Sequence, residues 1–517
     1  VHANGGNYST SQYAGGGGRV LIEAKKSFAL PINNVTTLGY KGLYNSGKNG
    51  SSLVRVGNEN TGRDLFVVNP TNEAGYLTST MIFDNNIFSE KSNVTIRNSG
   101  VRIEGTHWFD SLLITSSSLS FEGVLASSVL SLDSNSFLTT GDTLNLTNLV
   151  VENGSTIYSK QTTVDTVFNL VILSNSMYID ATSAINVNGR GYVGDRYVNG
   201  AWRGAFSSGN TPVNISSNNY SHVCGGSHGG TGGYSSRSPI SIYGDAFGPI
   251  LPGGGGGACT YYTSRYGGDG GGVIYIEAST LTIDGKITAN GNRGYSSSYN
   301  GAGAGGSIWI VADHVSGTGG VHANGGNYST SQYAGGGGRV LVEAKESFTL
   351  PIDNVTTLGY NGRNNSGKNG SSIIRVGNSG TERNLYVVNP SQDAGYLTST
   401  TILPENTTSD KGNFVIRNSG VRIEGTHQFE SLLITSGSSL STKDNITISV
   451  LSLDLSSTLT PDDTITIANL SVKNSSSIYS KQTTIDSVFK IAIFSDSIFI
   501  DATSAIDVSG RGYVGDR

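Results

Sequence analysis

Between residues 108 and 187 apolar and polar positions alternate in short bursts. LLITSSSLSF (112–121), VLSLDSNSFLT (129–139), LVVENGSTIYS (149–159) and LVILSNSMYID (170–180) start 17, 20 and 21 residues apart. Each predicts a short strand, a small polar turn and a second short strand. The period-two pattern of half-buried strands is plain in Val129-Leu130-Ser131-Leu132-Asp133 and in Asn145-Leu146-Thr147. No sustained helical period competes with it.

A longer frame follows. IYIEASTLTIDGKITANGNRGYSSS (274–298) and IWIVADHVSGTGGVHANGGNYSTS (308–331) share an order of strand, second strand, Ala-Asn-Gly and Gly/Ser/Tyr-rich stretch, and RVLVEAKESFTL (339–350) opens the same way. The Asn-Gly pairs fall at Asn290 and Asn324, 34 residues apart, with a related pair at Asn188. A glycine run precedes each strand: GGDGGG before Val273, GAGAGG before Ser307 and AGGGG before Arg339. Above this lies an exact internal repeat. Residues 1–21 recur unchanged as 321–341, NSGVRIEGTH (98–107) returns at 418–427, and GRGYVGDR (189–196) returns at 510–517. The offset moves from 320 to 321 at one single-residue insertion.

The chain therefore reads as a first unit, 1–320, and a second, shorter copy, 321–517, drawn from a longer array. Strand signals every ~20 residues, with like residues at matching places, predict an all-β parallel β-helix (β-solenoid) with long Gly/Ser/Tyr-rich loops. In it each strand pairs with its equivalent one turn away, ~4.8 Å along the axis. A unit of this size supplies about 10–15 turns, or roughly 50–70 Å of rod. Glycine is expected at corners and close approaches, and Ser, Thr and Asn on turns and outer faces. A string of antiparallel β-sandwich domains is the alternative architecture. Segment 198–272, with both cysteines, Trp202 and many tyrosines, breaks the period and reads as a loop-rich excursion.

GGGGRVLIEA, GSIWIVA and ITANG resemble the glycine-rich repeats of giant surface proteins of bacteria and protists, including adhesin stalks and mastigoneme (flagellar-hair) shafts. The resemblance is one of pattern, chiefly over 267–345 and its equivalents. It implies an elongated, secreted or cell-surface protein, and it transfers no residue role.

Composition narrows the function. Glycine supplies 72 of 517 residues, proline only 10, and charged residues 14 %. That excludes a collagen-like or Pro-rich linker reading. A net charge of −5 gives no basic footprint for nucleic acid, and no apolar run reaches the ~20 residues of a membrane span. Gly301–Gly306 satisfies GxGxxG but opens a strand rather than a helix. GLYNSGK (42–48) and its copy at 362–368 imitate a phosphate loop, yet Asn49 and Asn369 replace the magnesium-binding hydroxyl.

No catalytic, cofactor or metal site is expected, apart from a possible structural calcium at Asp269 in GGDGGG and a weak metal site at His222 and His228 beside Cys224. A secreted context makes Cys224 and Cys259 a candidate disulfide. There are sixteen N-x-S/T sequons. The candidate N-glycosylation positions among them are Asn34, Asn49, Asn93, Asn145, Asn153, Asn214, Asn219, Asn354, Asn369, Asn406, Asn445, Asn469 and Asn474. The expected role is a non-enzymatic structural subunit of an extracellular filament or surface fibre, whose partners are further copies of itself, end to end and laterally. The alternatives are the stalk of an adhesin that binds glycans or another surface and, last, a solenoid polysaccharide-active enzyme.

Overall fold

A computed structural model describes the chain apart from residues 7–12, 41–46, 59–61, 70–80, 84–91, 164, 199–200, 203–204, 208–210, 214–223, 235–240, 259–265, 295–299, 327–332, 361, 363–364, 379–382, 391–400, 404–411, 485 and 514–517. Among the described residues regular structure is almost entirely strand. The strands build one eighteen-stranded sheet, one of nine strands and one of six, besides two small two-stranded pairs.

Successive strands alternate between sheets. His107–Thr115, Leu125–Asp133, Thr143–Val151 and Asn169–Ile179 belong to the long sheet, while Ser118–Glu122, Phe137–Thr140, Thr156–Ser159 and Ala184–Asn186 belong to the nine-stranded one. Each pairs in parallel register with its equivalent farther along the chain, so like side chains fall into files. Leu112, Leu130, Leu149, Met177, Leu281 and Val315 form one file in the long sheet. Val101, Leu119, Leu138, Ile157, Ile185, Ile287, Val321 and Val355 form the facing file. All of these side chains are buried in one cluster. The files run through residues 320 and 321 without a break. Antiparallel sandwich domains would not give this pairing.

The long sheet reverses strand direction at two hairpins. Ser51–Asn58 pairs antiparallel with Gly62–Val68, and Ser371–Val376 with Asn384–Val388. At the second hairpin the core changes sides. Neighbouring residues of a strand point to opposite faces. Ile374 continues the file of Ile276, Ile310 and Val342 in the first core cluster. Its neighbour Ile373 continues instead through Val387 and Ile416 into a second cluster. That cluster is closed by Val421, Leu440, Leu459 and Ile478 of the six-stranded sheet. The packing boundary therefore lies at this hairpin, some fifty residues past the start of the second sequence copy.

Corners are built from buried serine, not solvent-facing serine. The backbone N–H of Ser99 donates to the hydroxyl of Ser117, Ser117 to Ser136, Ser136 to Ser155, and Ser155 to Ser183, at 3.1–3.2 Å. All five serines are nearly inaccessible. Each hydroxyl thus satisfies a donor that the turn would otherwise bury unpaired. The sequence pattern places serine on turns and outer faces; these serines do lie at turns, with their hydroxyls enclosed rather than facing solvent.

Candidate functional site

The glycine runs are not loops. From Gly301 to Gly306 each backbone N–H donates to a different neighbour in a cycle of three. Gly301 and Ala304 donate to Gly257 and Gly254 (2.8 Å each), Ala302 and Gly305 to Tyr333 and Gly336 (2.9 and 3.0 Å), and Gly303 and Gly306 to Asn292 and Ala289 (2.8 and 2.7 Å). A donor direction that returns every third residue is that of an extended polyproline-II-type helix, which makes no internal hydrogen bonds and can bond on all sides.

The neighbouring runs behave alike. Gly253 and Gly256 donate to Gly271 and Gly268, while Gly268 and Gly271 donate to Gly301 and Ala304. The result is a lattice of extended glycine segments beside the strand sheets, and residues 301–306 are wholly buried within it. None of these glycines has a left-handed φ. They are required because a methyl group would strike backbone: on Gly301, Gly303 and Gly305 it would lie 2.0–2.1 Å from the carbonyl oxygens of Cys224, Asp269 and Ala323.

Asparagine registers the lattice at its edge. The Asn188 side-chain oxygen accepts from the Asn290 N–H (2.6 Å) and the Asn290 side chain from the Asn324 N–H (2.7 Å). The Asn324 oxygen in turn accepts from Leu358 N–H and the Thr356 hydroxyl. This is the physical reason for the 34-residue spacing of the Asn-Gly pairs.

The described parts of the 198–272 excursion thread back into the lattice. Gly226 donates to Ala302 (2.8 Å), Gly336 to Gly226 (3.0 Å), and Gly230 to Gly337 (2.8 Å). Ala246 and Phe247 cover Leu341 and Ile373 on the second-cluster face. At the junction, His228 is completely buried, with Nδ1 2.9 Å from the Gly305 oxygen and its ring 4.9 Å from that of Tyr243. Burial and the adjacent Arg339 guanidinium hold its pKa at about 3. Arg339 donates from Nε and Nη2 to the Tyr243 carbonyl (3.0 and 2.8 Å) and from Nη1 to Ser371 Oγ (3.1 Å). Burial lowers its pKa to about 10. These groups fasten the excursion to the lattice.

The sequence candidates fall as follows. Cys224 is buried, with its carbonyl accepting from Gly257; Cys259 and His222 lie outside the described residues, as do Asn214, Asn219 and Asn406. Asp269 accepts from the Gly194 N–H (2.8 Å) and pairs with Arg196, which occupies the carboxylate considered for calcium. No group of three potential metal ligands occurs among the described residues, and no helix among them is long and apolar enough to cross a membrane. Asn49 and Asn369 are enclosed, with side-chain oxygens accepting from Gly39 and Gly359 (3.0 Å each). The amide nitrogens of Asn93, Asn153, Asn354 and Asn474 are engaged with Asp64, Asp133, the carbonyls of residues 318 and 319, and Asp454. Asn34, Asn145, Asn445 and Asn469 are exposed. No family model, curated protein or solved structure matches the chain.

Proposed function

We propose that the chain is a structural subunit: a parallel β-solenoid forming part of the shaft of an extracellular filament or surface fibre, with units of about 320 residues continuing end to end. The observation that carries this reading is the unbroken parallel register through the sequence boundary, in which Ile287, Val321 and Val355 stack as equivalents. A repeat that joins its own copy with the pairing used inside each unit extends a rod without a new interface. In such a rod load is shared over ladder and lattice hydrogen bonds, and length scales with the number of units. The resemblance of the glycine runs to those of adhesin stalks and mastigoneme shafts agrees with this role.

Cryo-electron microscopy or fibre diffraction of the purified chain tests it. An axial layer line at ~4.8 Å supports the solenoid. Separate globular particles without that spacing would reject it.

A further inference from the structure

Asn-Gly is the dipeptide most open to spontaneous deamidation, because glycine carries no side chain to keep its nitrogen from the preceding amide. Eight such pairs lie among the described residues. In seven of them the glycine N–H donates to a backbone carbonyl. Gly189, Gly291 and Gly325 donate to Asn290, Asn324 and Leu358 (2.8 Å each), and Gly50 and Gly370 to Thr37 and Thr357 (2.6 Å each). Asn49, Asn300, Asn324 and Asn369 are themselves buried. Asn153-Gly154 is built differently. It forms the turn between Thr143–Val151 and Thr156–Ser159, and Asn153 is exposed. Gly154 N–H donates to the hydroxyl of exposed Thr182 (2.8 Å). Asn153 donates from its N–H to Asp180 Oδ2 (2.6 Å) and from Nδ2 to Asp133 Oδ1 (2.8 Å).

We infer that Asn153-Gly154 is a built-in modification site, the Asn-Gly pair at which the folded chain deamidates first, with the Thr182 hydroxyl as its guard. The Gly154 nitrogen bonds to Asn153 Cγ, the Cγ–Nδ2 bond breaks, and the amide leaves as ammonia with the proton that Gly154 gives up. Water then opens the cyclic imide to aspartate or, at its other carbonyl, to isoaspartate. Attack needs the Gly154 N–H released, so it proceeds through local opening. At a surface turn held by these three hydrogen bonds to side chains, opening takes little free energy, whereas the lattice pairs require buried backbone segments to separate. The product disturbs one corner. A carboxylate replaces the Nδ2 donor facing the Asp133 carboxylate. Isoaspartate also adds a methylene to the main chain two residues before Ser155, whose hydroxyl accepts from Ser136 N–H (3.1 Å). The inference goes beyond the shaft reading and does not depend on it.

The second copy carries a matched control. Asn474 donates from its N–H to Asp501 Oδ2 and from Nδ2 to Asp454 Oδ1 (2.6 Å each), and Ser475 N–H donates to Thr503 Oγ1 (2.9 Å). The backbone repeats as well, with φ +54° at Asn474 against +53° at Asn153. Only the following residue differs in chemistry: serine stands where the first copy has glycine, and its side chain hinders attack by the nitrogen.

The test incubates the full chain, purified from a host that adds no N-glycan, in mildly alkaline buffer. Peptide mapping by mass spectrometry follows conversion of amide to acid at each pair, with thermal unfolding of each variant alongside. Asn153 should convert at least about tenfold faster than Asn188, Asn290, Asn324 or Asn474, and in urea the Asn-Gly pairs should converge on one rate. Thr182→Val should raise the Asn153 rate roughly fivefold, the gain in opening from one lost hydrogen bond. Ser475→Gly removes atoms and relieves a left-handed φ of +62°. It should bring Asn474 up to the Asn153 rate without lowering the thermal midpoint, and it decides the matter if Thr182→Val does not fold. A lattice pair converting as fast as Asn153, an Asn153 no faster than Asn474, a rate unmoved by Thr182→Val in a folded chain, or an Asn474 still silent in Ser475→Gly would each overturn the inference.

Discussion

Replacing Gly303 by alanine tests whether the glycine lattice is a packed core. The added methyl would lie 2.1 Å from the Asp269 oxygen, 2.4 Å from its carbonyl carbon and 2.8 Å from the Gly270 nitrogen. All three are backbone atoms, so no rotamer change relieves the clash. Opening the gap to an ordinary contact of roughly 3.5 Å moves two segments apart by more than an ångström. That strains Gly303 N–H to Asn292 O (2.8 Å) and Gly326 N–H to Gly303 O (2.7 Å), both inside the lattice. Overpacking costs about 1–3 kcal/mol, and each buried hydrogen bond spoiled adds roughly 1 kcal/mol. The expected loss is therefore about 3–5 kcal/mol. Two alanine substitutions calibrate it. At Gly437, with φ +68° and open space around it, only backbone strain of about 1–2 kcal/mol is expected. At exposed Gly6 the change is close to neutral. Urea unfolding midpoints rank the three, and hydrogen exchange at 253–257 and 267–272 reports whether the damage is local to the lattice. If Gly303→Ala costs no more than Gly437→Ala, the close-packing argument is wrong.

Other expectations follow from the same contacts. His228 stays neutral when folded down to about pH 3 but takes up a proton near pH 6.5 when unfolded. Stability should thus fall as pH drops through that window, with a slope of up to about 1.4 kcal/mol per pH unit. His228→Gln should flatten the slope in urea midpoints taken between those limits, and an unchanged slope would contradict the assignment. Leu21 and Leu341 occupy equivalent positions but are 59 % and 0 % exposed. Leu341→Lys should cost several kcal/mol and Leu21→Lys within roughly 0.5 kcal/mol, so equal thermal midpoints would refute the capping of Leu341 by Ala246 and Phe247. Leu130→Ala, in the middle of the file, should cost about 2–5 kcal/mol by chemical denaturation, and a loss under 1 kcal/mol would contradict the stacking.

Strand positions and their spacing were legible because alternation reports directly on which side chains face inward, as Leu130 and Leu132 do against Ser131. The Asn188, Asn290 and Asn324 spacing was also visible, and its meaning as a hydrogen-bonded file appeared only with the registers. The lattice was not legible. A run such as Gly301–Gly306 offers almost no side-chain pattern, and its information lies in backbone groups whose partners come from segments dozens of residues away. Both expected uses of glycine occur, corner freedom at Gly123 and Gly317, where φ is strongly positive, and close approach at Gly301, Gly303 and Gly305, but the partners in that approach were not readable from the sequence. The change of core face did leave a trace. Ile373-Ile374 places two apolar residues in succession, as a strand covered on both faces requires. The serine corners left one too, in the 19-residue recurrence of Ser117, Ser136 and Ser155.

The reversal at each hairpin has an arithmetic consequence. It occurs once in each sequence copy, at 51–68 and again at 371–388, and at the second it carries the hydrophobic interior across to the other side of the common sheet. Duplicating or deleting one unit by unequal recombination would therefore do more than change length. It would invert the parity of the assembly, setting everything downstream on the opposite flank, while a change of two units would restore the original flank. Any surface patch that must face a fixed direction is consequently preserved by even changes in copy number and displaced by odd ones.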